Sequence, residues 1–212
     1  EIRDVPLGAS PIIFADQAGP QITSSLGITL SYDRRNSRVN PISGFIVTLD
    51  EEIAGLGGDL NFSKTVVRVK GYTAFFDDNL VLSAEVEGGA LVSTDGTNSR
   101  ITDRFFLGGN SLKGFANGGI GPRDINDAIG GNYYGVVRLQ GSFPIGFGED
   151  SGIYGGVFAE VGSVWELGNI VIDDDDMYIR ASSGVSLFWT SPLGPLEFSY
   201  AFPILYEADD II

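Results

Sequence analysis

Residues 62–91 read FSKTVVRVKGYTAFFDDNLVLSAEVEGGAL. Two alternating runs flank a tight, acidic turn. In the first run Thr65, Val67, Val69, Thr73 and Phe75 share one face, opposite Lys64, Arg68 and Lys70. In the second, Leu80, Leu82, Ala84 and Val86 oppose Ser83, Glu85 and Glu87. A period of two is that of a β-strand, whose side chains alternate between faces. FDDN, residues 76–79, has the residue types of a turn. Folded as an antiparallel hairpin, the two runs set a basic row beside an acidic row, as cross-strand ion pairs require.

Six more segments repeat the pattern. SSLGITLSYD carries Leu26, Ile28, Leu30 and Tyr32 on one face, and GFIVTLDEE carries Phe45, Val47 and Leu49 against Asp50 and Glu52. Downstream, NYYGVVRLQGSF sets Tyr133, Val137, Leu139 and Phe143 against Arg138 and Gln140. GIYGGVFAEVGSVW sets Val157, Ala159 and Val161 against Glu160. IRASSGVSLFW sets Ala181, Val185, Leu187 and Trp189 against Arg180, Ser182 and Ser186. PLEFSYAFP sets Leu196, Phe198, Tyr200 and Phe202 against Glu197 and Ser199. The reading expects no charge on any apolar face and both signs on the polar one. Aromatic residues gather at segment ends: Phe75, Phe76, Tyr133, Tyr134, Trp189, Tyr206. Strands of about ten residues, apolar outside, polar inside and ringed by aromatics, fit a transmembrane β-barrel. A soluble antiparallel sandwich, acting as a binding module, is the alternative that alternation alone leaves open.

Composition narrows the function. The 212 residues carry a net charge of −15 and no histidine or cysteine. A nucleic-acid surface needs a basic stripe, so no nucleic acid is expected as partner. Without histidine or cysteine, the common general base, the usual triads, disulfides and thiolate zinc sites all fall away. No enzyme and no cofactor is expected. Asp173 to Asp176 form an acidic run that could take a divalent cation through oxygen ligands, but such runs are more often solvated loops. The paired acids Glu85 and Glu87 face Lys64, Arg68 and Lys70 and read as a salt-bridge ladder rather than an acid–base pair. No apolar run reaches the length of a membrane helix, about 18 residues. Nothing at the N-terminus has a signal peptide's basic-then-apolar pattern.

The turns alternate between short and long. DRRNSRVNPIS, FDDN, SFPIGFGEDS and TSPLGP are short; 95–133 and 166–178 are long. The longest holds FFLGGNSLKGFANGGIGPRD, Phe105 to Asp124, followed by AIGGNYY. This stretch resembles the loop of the BamA family, the barrel proteins that assemble proteins into the bacterial outer membrane. FAEVGSVWE (158–166) and WTSPLGPLEFSYAFPI (189–204) resemble that family's late strands, and the likeness runs from about residue 20 to the end.

The resemblance implies an all-β, antiparallel transmembrane β-barrel of the bacterial cell outer membrane, with about eight strands of a barrel of about sixteen. Residues 1–212 would be its partial C-terminal barrel, with periplasmic POTRA domains, the early strands and the last strand absent. The loop, about residues 95–132, would enter the lumen. Its motif of a basic residue, Gly and Phe maps to Lys113, Gly114 and Phe115, with Glu160 and Gln140 as the partners on the wall. Arg104, Gly108, Gly109, Gly121, Pro122, Arg123 and Asp124 would support the loop. The family usually has arginine at the motif and often glutamate where Gln140 stands. One lysine facing one acid, Glu160, would thus replace an arginine fork between two acids. The implied partners are unfolded outer-membrane protein clients, accessory assembly lipoproteins, the lipid bilayer and lipopolysaccharide. A two-partner secretion transporter or a passive pore of the same superfamily is the alternative.

Overall fold

The computed structural model describes residues 10–16, 21–125, 127–146, 152–168, 176–191 and 194–212. The first element among the described residues is a short helix, α1 (Pro11–Asp16). Four strands follow: β1 (Ser25–Asp33), β2 (Gly44–Ala54), β3 (Phe62–Phe75) and β4 (Leu80–Ser93). The long loop carries a 3-10 turn at Ile101–Asp103 and a miniature hairpin, β5 (Arg123–Asp124) and β6 (Asp127–Ala128). Four more strands follow the loop: β7 (Tyr133–Pro144), β8 (Ile153–Trp165), β9 (Arg180–Ser191) and β10 (Gly194–Leu205). The eight long strands form one sheet in the order β1-β2-β3-β4-β7-β8-β9-β10, each antiparallel to its neighbour. Among the described residues β1 pairs only with β2 and β10 only with β9, so the sheet is an open wall. No helix among them is long and apolar enough to cross a membrane.

The two faces differ sharply. One carries Leu30, Val86, Leu139, Val157, Val185 and Phe198, all solvent-accessible with no second layer over them among the described residues. An apolar face of that breadth is not left to water by a soluble protein. The other face carries the long loop, and the buried apolar cluster lies between loop and sheet. Leu107, Leu112, Phe115 and Ile120 of the loop pack there on Tyr134, Val136 and Val164 of the wall. The loop is therefore the second layer of the core, where a sandwich would place a second sheet.

Register explains the charges. Arg68 stands opposite Glu87, Lys70 opposite Glu85, and Glu85 opposite Arg138 on the next strand. The side chains close into a ladder: Arg68 to Glu87 at 2.9 Å, Lys70 to Glu85 at 3.0 Å, and Arg138 to both acids. The Tyr134 hydroxyl also donates to Glu87, at 2.7 Å. Lys64 does not join the ladder, contrary to expectation. Its register partner is Leu91, four pairs away from Glu87, and its ammonium donates instead to the Asp103 carbonyl at 2.6 Å.

The expectation of an uncharged apolar face fails at one residue. Glu51 is opposite Thr65 and points to the bare face, three residues from the end of β2. The alternation of GFIVTLDEE already places it on the face of Leu49. Its carboxylate is satisfied locally by the hydroxyls of Ser63 (2.6 Å) and Thr65 (2.5 Å) on β3.

Glu87 gathers three donors from three residues, two of them largely buried. Glu87→Ala leaves Arg138 and Tyr134 short of a partner and is expected to cost roughly 3 kcal/mol, the low end for breaking a buried pair. Arg68→Ala, whose side chain is 41% exposed, should cost less than about 1 kcal/mol. Denaturant unfolding of the vesicle-folded protein measures both, and equal losses would contradict this ranking.

Candidate functional site

The long loop is tied at its root before it reaches the wall. Phe105 and Gly131 exchange two backbone hydrogen bonds (2.9 and 3.0 Å), so the chain leaves and returns side by side. Leu107 and Ile120 form a second bridge further in. The Arg104 guanidinium, only 4% exposed, spans this base: it donates to Ser99 Oγ and to the carbonyls of Ser99 and Ile129. The Lys64 ammonium sits 4.7 Å above the Phe105 ring. At the loop's head, donation from Thr97, Asn61 and Ser93 holds the Asp95 carboxyl well below the usual carboxylate range.

The tip is built by a tight turn. Gly109 N–H donates to the Phe115 carbonyl (2.7 Å), and Gly108 N–H to Ser111 Oγ (3.0 Å). This projects Lys113 toward the wall. Its backbone N–H donates to Glu160 Oε2 at 2.7 Å and its ammonium lies 3.4 Å from Glu160 Oε1. One carboxylate on β8 thus holds both ends of one residue. The ammonium also lies 3.3 Å from Glu197 Oε1 on β10 and 4.5 Å above the Phe158 ring. The expectation of a single acid is therefore corrected: Lys113 stands between two carboxylates. Gln140 lines the same cavity but makes no hydrogen bond to Lys113 among the described residues.

The sheet is shaped to admit this tip. Between β8 and β10, the middle of the loop-bearing face of β9 carries Ser182, Gly184 and Ser186, with Arg180 and Phe188 beyond them at either side. Small residues there leave a trough that lets a lysine reach acids two strands apart. Gly114 lies in that trough with φ +90°, and a Cβ on it would meet Ser182 Cβ at 3.3 Å and Ala201 Cβ at 3.4 Å. Arg138 braces the tip from the other side. Its Nε and Nη2 both donate to the Ser111 carbonyl while Nη1 stays with Glu85 and Glu87. Neither Glu197 nor Arg138 was singled out for this role by the sequence. Both sit on polar faces, but their meeting with the loop depends on how far the tip reaches.

The remaining expected residues lie apart from Lys113. Gly121 packs against Val164, Pro122 accepts a hydrogen bond from Ile129 N–H (3.1 Å), and Arg123 Nη2 donates to the Gly118 carbonyl (2.7 Å). Asp124 accepts from Ser10 Oγ, and Asp127 from Ser10 N–H, so Ser10, just before α1, is tied to the miniature hairpin. Asp173, Asp174 and Asp175 lie outside the described residues, and Asp176 is exposed.

Between loop and wall lies a cavity of about 450 Å³ bordered by Arg68, Glu85, Glu87, Lys113, Arg138 and Glu160. Each of these charges is engaged with an opposite one. The arrangement braces a loop. Gly114→Ala is expected to cost about 1–3 kcal/mol, the strain of a side chain held at positive φ, plus the crowding on Ser182. The temperature at which the folded protein loses its compact gel mobility should fall, and an unchanged midpoint would contradict the fit described here.

The chain matches known proteins over most of its length. The Omp85 superfamily domain matches residues 4–212. The outer membrane protein assembly factor BamA of Neorickettsia risticii (strain Illinois) is 30% identical over 200 residues, covering 92% of this chain and 26% of that protein. The human sorting and assembly machinery component 50 homolog is 35% identical over 144 residues, covering 67% of this chain and 30% of its own length. The crystal structure of BamA from Haemophilus ducreyi lacking POTRA domains 1–3 superposes with a TM-score of 0.81 at 27% identity, covering 88% of this chain and 40% of that one. The chain thus spans about a quarter of the length of the BamA protein it matches. Its bare face is the lipid side of an outer-membrane β-barrel and its loop-bearing face the lumen. The chain belongs to the Omp85 superfamily.

Proposed function

We propose that these residues are the C-terminal wall and lumen loop of a BamA-like insertase, which assembles β-barrel proteins into the bacterial outer membrane. The reading rests on the seating of Lys113 between Glu160 and Glu197, in a chain whose relatives are named as assembly factors. A barrel that inserts clients must open part of its wall while the rest holds its shape. Pairing between a client strand and an opened edge would follow the logic of β-augmentation. The lumen clamp holds β8 and β10 to one loop, and so keeps this arc of the wall rigid while another part moves. The clients are unfolded outer-membrane proteins, and accessory lipoproteins and lipopolysaccharide are the further partners of this reading.

The test is assembly of a client by the intact protein. Lys113→Ala and Glu160→Ala should slow client assembly several-fold, whereas Lys113→Arg, which restores a basic group with a bidentate fork, should support it. Assembly at the parent rate by both alanine variants would overturn the proposal.

A further inference from the structure

A second attachment holds the loop tip, and it comes from the far end of the chain. After β10 the segment Tyr206–Ile212 turns back over the loop. Ala116 N–H donates to the Ile211 carbonyl at 2.8 Å, and Ile211 N–H donates to the Gly119 carbonyl at 2.9 Å. The contact is close: a Cβ on Gly119 would lie 2.5 Å from the Ile211 carbonyl oxygen. The segment is itself held in a compact turn, with Glu207 N–H donating to Asp210 Oδ2 at 2.7 Å and Asp210 N–H to the Glu207 carbonyl at 3.2 Å.

Asp210 anchors this turn to the wall. Arg180, at the start of β9, donates to it from Nε (3.1 and 3.2 Å) and Nη2 (3.1 Å), and donates from Nη1 to the Tyr178 carbonyl (2.9 Å). Both side chains of the pair are 2% exposed. A planar guanidinium forked onto a carboxylate is the strongest and most directional ion-pair geometry available to side chains. A buried pair of this kind is weak evidence for stability, but it fixes one arrangement, because losing either partner strands a charge.

We propose that residues 207–212 are a latch on the lumen loop, with Asp210 on Arg180 as its bolt and Ile211 as its grip. Asp210 and Arg180 are positioning residues: they touch neither Lys113 nor its acids, yet they set whether the tip stays seated. The latch makes the position of the loop depend on the segment that follows β10, so a displacement of that segment unseats the tip. This goes beyond the insertase reading and does not require it.

The test reads loop seating alone, with no client present. These 212 residues contain no cysteine, so Leu112→Cys in the intact protein places a reporter thiol at a fully buried position of the tip. Maleimide labelling of that thiol is followed in protein that keeps its heat-modified gel mobility. Asp210→Ala should raise the labelling rate at least tenfold. Arg180→Lys, which keeps the charge and loses the fork, should raise it by less. Glu207→Ala, whose side chain is exposed, should leave it at the parent rate. Should Asp210→Ala fail to fold, the comparison of Arg180→Lys with Glu207→Ala decides. Parent-rate labelling in the folded Asp210→Ala or Arg180→Lys protein would overturn the latch, as would equal increases across all three variants.

Discussion

The structure turns on one carboxylate. Glu160 is 2% exposed, and a carboxylate in that position is tolerated only if its charge and lone pairs are met. Lys113 meets both, with its backbone amide on one oxygen and its ammonium near the other. The surrounding features follow from that requirement. A loop must reach the wall, so its root is tied at Phe105 and Gly131. Its tip must lie flat on the sheet, so Gly114 occupies positive φ over the small residues of β9. Its freed carbonyl at Ser111 must find a donor, and Arg138 supplies one from the ladder. The loop and the ladder are thereby one hydrogen-bonded network, in which charge on the wall positions backbone in the loop.

The two faces of the sheet solve different solvation problems. On the lipid side almost every side chain is apolar, and Glu51, near the end of its strand, borrows two hydroxyls from β3. On the lumen side polarity is unavoidable, and register converts it into pairs: basic β3, acidic β4, basic β7 and acidic β8 in sequence. Each strand carries the sign opposite to its neighbour. Like charges directly opposite would destabilise the sheet, so this alternation also disfavours a slipped register.

Much of this was legible in the sequence because strand alternation is a local signal. The eight segments, their faces and the β3–β4 ladder follow from a period of two and one turn. The place of the loop was legible through its resemblance to a family rather than through any periodicity, since glycine-rich stretches carry none. What escaped the sequence involves reach. Glu197 and Glu160 are 37 positions apart in number and two strands apart in space; only a trough of Ser182, Gly184 and Ser186 brings one lysine to both. Lys64 was grouped with its basic neighbours, yet its position beside Leu91 hands it to the loop root. The grip of Ile211 on Ala116 and Gly119 is made by backbone alone, which no side-chain pattern announces.

Hydrogen exchange of the loop amides in the intact, membrane-embedded protein tests the central claim most directly. If the tip is seated as described, Gly109, Lys113, Ala116 and Gly119 exchange as slowly as amides of the neighbouring strands, because each donates to a fixed acceptor inside the barrel. Exchange of these four amides at the rate of an unstructured chain, with the strands still protected, would show that Glu160 does not hold Lys113 and that the loop is not part of the core.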